Sequence, residues 1–146
     1  MPIWIGAQEG KEMMLRVTAK YGDGINVAWM TTPKDLDKRF QHLAQYCREY
    51  KRNATDIMKS VGLWTRAFET EEDMETAIIE NAKARKVSTS DYRKRISQAL
   101  WGSTDHMLSR LREFKQIGVS HVVLMFPHKE EIEHIKTIGK SVISKL

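Results

Sequence analysis

Short apolar runs alternate with amphipathic helical stretches along the whole of this 146-residue chain. No other feature restricts its fold as much. The runs are PIWIGA (2–7), GINVAW (24–29), MKSVGLWTRAF (58–68) and VSHVVLMF (119–126). None alternates cleanly between polar and apolar residues. VVLMF is apolar without a break, the pattern of a parallel strand covered on both faces. Strands separated by helical crossovers pair in parallel, because a tight hairpin can only join antiparallel neighbours. The reading is therefore α/β, with four parallel strands and flanking helices.

The helices carry their own start and stop signals. Thr32-Pro33 reads as an N-cap followed by proline at the first helical position, with Asp35 in the first turn. Leu36, Phe40, Leu43, Ala44, Cys47 and Tyr50 then form one apolar stripe. Thr70-Glu71-Glu72-Asp73 resembles a capping box and opens a segment bearing Met74, Ala77, Ile78 and Ala82. Ser103 or Thr104 can cap a helix with Met107, Leu108, Leu111 and Phe114, and Gly118 sits just past its end. Ile132, Ile135, Ile138, Val142 and Leu146 mark the last helix. Residues 69–101 hold more helix than one crossover needs, so a helical insertion is predicted there, with VSTSD (87–91) as a joint. One domain over 1–146 accommodates all of this. An open doubly wound sheet and part of a closed barrel both satisfy the pattern.

Composition narrows the function classes. No apolar run approaches the length of a membrane-spanning helix, so no membrane is expected as a partner. The N-terminus lacks the pattern of a secretory signal, and a cytoplasmic location is the expectation. Cys47 is the single cysteine, which rules out an intrachain disulfide or a cysteine metal cluster. On an apolar helix stripe it reads as a packed thiol. His42, His106, His121, His128 and His134 show no metal-ligand spacing, and no metal site is predicted. His128 earns a weak mention because it follows the last strand. A net charge of +5 suits polyanionic ligands, whether nucleic acid or a phosphorylated cofactor. The basic stretches NAKARK (81–86) and YRKR (92–95) lie just after Glu71, Glu72, Asp73, Glu75 and Glu80, which dilute the field. They read as a solvated helix surface, so nucleic acid is not an expected partner.

Two stretches lie where ligands bind in α/β proteins, at the carboxyl ends of strands. GAQEGK (6–11) joins the first strand to a helix, so its backbone N–H groups and the helix dipole offer a seat for phosphate, with Lys11 adding charge. Its glycine spacing matches neither a P-loop nor a dinucleotide fingerprint. By local signal alone an ordinary tight turn is the better reading. Asn26 to Trp29, closing the second strand, would point into the same end of the sheet.

Taken together, the residues resemble a family. PIWIGAQEGKEMMLRVTAKYGDGINV, through Pro2, Ile5, Gly6, Leu15, Arg16, Tyr21, Asp23, Gly24 and Asn26, resembles a segment of the bacterial luciferase-like monooxygenase superfamily, in its branch that uses coenzyme F420. LAQYCREYKRNATDI and WGSTDHMLSRLREFKQIGVSHVVLMFP resemble two later blocks of the same family, in the same order. The resemblance implies half of a (β/α)8 TIM barrel, equivalent to strands five to eight, with an insertion after the third strand present. It implies the C-terminal half of an F420- or flavin-dependent oxidoreductase, which supplies part of the cofactor phosphate site and needs a partner half for hydride transfer. The cofactor is then F420, with FMN as the alternative, and an isolated half need not retain it. Carried over, the cofactor-binding positions are Gly6, Ala7, Gln8, Glu9, Gly10, Val27, Ala28 and Trp29. No catalytic residue is assigned, and half a barrel is not expected to be active alone. The partner is either a separate N-terminal half-barrel chain or a second copy in a homodimer. The alternative function is a non-catalytic half-barrel that self-associates as an assembly or binding module.

Overall fold

The computed structural model describes residues 1–8, 11–127 and 131–146. The chain runs β1 (Trp4–Gln8), α1 (Glu12–Tyr21), β2 (Gly24–Trp29), α2 (Pro33–Glu49), β3 (Met58–Phe68), α3 (Glu71–Ala84), α4 (Thr89–Ile96), β4 (Leu100–Ser103), α5 (Thr104–Gln116), β5 (His121–Met125) and α6 (Glu131–Ser141). It divides into two units. One comprises Met1–Leu63 with Phe114–Leu124, and the other Trp64–Glu113 with Met125–Leu146.

In the first unit, β1 pairs in parallel with β2, and β2 with the first half of β3. β5 adds to β3, where the Ser120 N–H donates to the Lys59 carbonyl at 2.9 Å. The register aligns Ile5 with Ile25, Ala7 with Val27, and Val27 with Val61. Ala7, Ile25, Val27 and Val61 are buried, as are Leu15 and Ala19 of α1 and Leu36, Phe40, Leu43 and Cys47 of α2. Each fully buried aliphatic side chain of this kind contributes about 1.5–3 kcal/mol. Tyr46, not Tyr50, completes the α2 stripe: Tyr46 is buried and Tyr50 exposed. Burial pushes the Cys47 thiol above its ordinary value, in line with a packed structural cysteine.

The turns follow the sequence signals. Thr32 Oγ1 accepts from the Asp35 N–H at 3.1 Å, with Pro33 opening α2. Asp23 ties the start of β1 to β2. The Ile3 N–H donates to its carboxylate at 2.6 Å, and the Asp23 N–H returns a bond to the Ile3 carbonyl at 2.8 Å. Gly118, at φ 88°, takes the left-handed conformation that ends α5.

α1 and α2 are joined at the surface by a charged group. The Tyr46 hydroxyl donates to Glu12 at 2.8 Å, and the Arg16 guanidinium lies 4.1 Å from the Tyr46 ring centroid and 3.0 Å from Glu49. The Tyr46 hydrogen bond, then Arg16, hold the Glu12 carboxyl below its ordinary value. A lowered carboxyl stabilises the fold above its unfolded pKa, and that contribution is lost as pH falls through the folded value. Glu12→Gln is therefore expected to flatten the decline in thermal stability on acidification below the ordinary carboxyl value of 4.5, read by melting at stepped pH.

In the second unit, the last residues of β3 pair in parallel with β4, Thr65 opposite Leu100 and Phe68 opposite Ser103. β4 is an addition to the four strands read from sequence, and it falls just where the insertion was expected to end. Ile78, Ala82 and Tyr92 form one buried cluster of this unit, packed by Met74, Ile96 and Trp101. Tyr92 and Phe68 both set their rings against Trp101, at centroid distances of 6.0 and 5.7 Å. Thr70 and Ser88 cap α3 and α4, accepting from the N–H groups of Asp73 and Asp91. Arg93 pairs with Glu75, so part of the basic stretch is neutralised within the hairpin of α3 and α4. Ser103 Oγ accepts from the His106 N–H at 3.3 Å, which makes it the cap of α5. On α6, Ile132 and Ile135 are exposed while His134 and Ile138 are buried, as is Val142 just past its end. The buried stripe is thus rotated from the one predicted, and the His134 ring packs edge-to-face with that of Phe68.

Candidate functional site

The candidate site lies within the first unit, at the carboxyl ends of β1 and β2. Parallel pairing brings those ends to one edge of the sheet, because Gly6, Ala7 and Gln8 stand opposite Asn26, Val27 and Ala28. Six of the eight predicted positions are placed: Gly6, Ala7, Gln8, Val27, Ala28 and Trp29 sit together. Glu9 and Gly10 lie outside the described residues, as does His128.

The period of two divides these positions between two faces. Ala7 and Val27 are fully buried on the helix-covered face, so their side chains belong to the core. Gly6 and Gln8 are exposed and Ala28 is half-buried on the opposite face. Of the predicted set, Gly6, Gln8 and Ala28 can therefore meet a ligand with their own surface, whereas Ala7 and Val27 have only backbone to offer.

Three rows cross that open face: Trp4–Gly24–Met58, Gly6–Asn26–Ser60 and Gln8–Ala28–Gly62. Two glycines are overlain by indole rings. A Cβ on Gly24 would stand 2.7 Å from Trp4 Cδ2, and one on Gly62 would stand 2.8 Å from Trp29 Cζ3 and 3.0 Å from Ala28 Cβ. Gly6 is different, since a Cβ there would meet nothing within 4 Å among the described residues. The Trp4 ring also stands edge-on to His121 of β5, at 5.4 Å between centroids. Asn26 Oδ1 is buried and finds no hydrogen-bond partner among the described residues.

Gly62, Gly24 and Ser60 escaped the sequence reading as site-face residues. A glycine inside a strand marks a close approach, and GINVAW and SVGLW both carried that signal. What the glycine would meet is decided by register, which is not visible in a single run.

At the N-terminus of α1, Lys11 occupies the cap position without a side-chain cap, while the Met14 and Leu15 N–H groups bond the Lys11 carbonyl. Lys11 itself is exposed. The acidic residue of the first turn, Glu12, is engaged by Tyr46 and Arg16. An uncapped helix start with an exposed lysine and a glycine-lined strand end fits an anion. Among the described residues no cluster of three or more His, Cys, Asp or Glu side chains is placed to hold a metal ion. No described helix is long and apolar enough to cross a membrane.

Solved structures share this fold. The coenzyme F420-dependent tetrahydromethanopterin reductase of Methanopyrus kandleri superposes with a TM-score of 0.70 at 17% identity, covering 99% of this chain and 51% of its own. An F420-dependent secondary alcohol dehydrogenase, in complex with an F420–acetone adduct, gives 0.73 at 13% identity, over 97% of this chain and 48% of its own. The chain has half of a TIM-barrel fold. EDTA monooxygenase from Chelativorans sp. BNC1 gives 0.70 at 11% identity, with 94% and 42% covered. The structural neighbours are thus F420-dependent reductases and luciferase-like monooxygenases, and the chain spans about half the length of each. No family model matches the sequence, and no curated protein matches it.

Proposed function

We propose that this chain supplies the C-terminal half of an F420- or flavin-dependent oxidoreductase of the luciferase-like kind, and that the ends of β1 and β2 seat the phosphate of its cofactor. The observation that carries the reading is the open Gly6 position beside the uncapped start of α1, in a fold that covers half of several such enzymes. The group's own chemistry is hydride or oxygen transfer at its ring. This chain's part is to hold and orient: backbone N–H groups of the first turn of α1 take the anion, Lys11 adds charge, and Gly6 lets the backbone approach. Catalysis then needs a complementary half to place the substrate against the ring.

Exposure of β5 supports the need for that half. VVLMF has the composition of a strand covered on both faces, yet Val122 and Val123 are 38% and 43% exposed. Ile3 at the entry to β1 is 55% exposed. The described residues of this chain do not provide the cover such strands require. Co-expression with a half-barrel carrying strands one to four tests the reading. A stoichiometric complex that retains F420 or FMN, read by mass and absorbance, is the expected result. A complex with no affinity for either sinks it.

Self-association as a non-catalytic module draws on the same exposed strands. It leaves the open glycine position and the uncapped helix unexplained, and the oxidoreductase half is preferred for that reason.

A further inference from the structure

In the second unit a cation stands on a strand. The end of β3 sends Trp64, Arg66 and Phe68 to one face and Thr65 and Ala67 to the other, by the period of two. Thr65 and Ala67 are buried. On the opposite face Arg66 is half-buried and Trp64 is exposed. β4 runs parallel to this part of β3, and the register sets Trp101 beside Arg66. Residues in register share a face. Four large side chains, Trp64, Arg66, Phe68 and Trp101, therefore stand together at the carboxyl ends of two parallel strands. That end is where α/β proteins take their ligands.

Three of the four touch one another. Arg66 Cζ is 5.3 Å from the Phe68 ring centroid and 5.4 Å from a Trp101 ring, and the two aromatic side chains are 5.7 Å apart. Each is braced in turn, Trp101 by Tyr92 at 6.0 Å and Phe68 by His134 at 6.5 Å. Cation–ring attraction holds the guanidinium in this setting. An arginine on an open surface loses much rotamer freedom when it grips a ligand. Here the rings have already restricted the side chain, so less remains to be lost on binding. The guanidinium offers a planar fork of N–H donors, which matches a carboxylate in shape and charge. Trp64, two residues earlier on the same face, offers an exposed flat apolar ring.

We propose that this face of the second unit is a binding site for a small aromatic carboxylate, with the carboxylate on Arg66 and the ring against Trp64. The site shares no residue with the phosphate seat at the ends of β1 and β2. It goes beyond the cofactor reading and does not depend on it.

Benzoate, with benzyl alcohol as its uncharged counterpart, tests the proposal on the chain alone, without flavin. Titration followed by tryptophan emission is expected to give benzoate a Kd of about 1 mM or tighter, and benzyl alcohol about tenfold weaker binding or more. Arg66→Gln is expected to erase that difference. Equal affinity for the two compounds overturns the proposal, and so does a preference for benzoate that survives Arg66→Gln. No benzoate binding up to about 10 mM overturns it as well. If Arg66→Gln does not fold, Trp64→Ala decides, since that ring is exposed in the wild type. Benzoate affinity lowered about fivefold in this variant supports the site, and unchanged affinity overturns it. No phosphate or flavin enters these titrations, so their failure leaves the phosphate seat to its own test.

Discussion

Gly62→Val is expected to lower the midpoint of thermal unfolding by several degrees, although valine is the better strand former. The first added carbon would already stand 2.8 Å from the Trp29 ring and 3.0 Å from Ala28 Cβ. The ring can turn, but Ala28 Cβ is fixed to a strand paired on both sides, so the strands themselves must shift. Overpacking of this kind costs about 1–3 kcal/mol. Gly24→Ala is the control. Its clash is with atoms of the Trp4 ring, which is 37% exposed and free to swing outward. The loss there should be smaller, and the Trp4 emission should shift as the ring moves. Equal stability of wild type and Gly62→Val would show that Trp29 does not lie over Gly62.

A second large effect separates covered from uncovered apolar residues. Ile25 is wholly buried in β2, between Ile5 and Lys59 in register. Ile25→Ala removes buried carbon and leaves a cavity, at a cost of about 2–5 kcal/mol. Val123 belongs to a strand just as apolar, yet it is 43% exposed. Val123→Ser should change the stability of the chain by no more than about 0.5 kcal/mol. The same substitution should weaken docking of a complementary half, where that residue becomes buried. Denaturant titration of both variants checks the pair. Similar losses from Ile25→Ala and Val123→Ser would mean that β5 is covered in the chain alone.

The four long strands and most helix starts were readable because their signals are local. Thr32, Thr70 and Ser103 cap through an N–H three residues on, a relation contained in one short window. β4 was not readable: LWGS is four residues long and directly abuts α5, so no period can develop. The α6 stripe was rotated because its isoleucines satisfy a helical period in more than one way, and only packing selects His134 and Ile138 for burial. For the site, the end of β1 was marked by Gly6, a glycine at a strand end. The roles of Gly24 and Gly62 were not, since each is set by a tryptophan on another strand or at a strand end. The exposure of Val122 and Val123 has no local signal and follows only from the half-barrel resemblance, because the sequence of a strand records what should cover it, whether or not the cover is in the same chain.

The direct test of the account is whether this chain itself prefers a phosphorylated flavin. Equilibrium titration with FMN and with riboflavin, which differ by the phosphate, isolates the seat at the ends of β1 and β2. The account predicts that FMN binds about tenfold tighter or more, that added salt narrows the difference, and that Gly6→Val removes it. Equal, measurable affinity for FMN and riboflavin would contradict the phosphate seat.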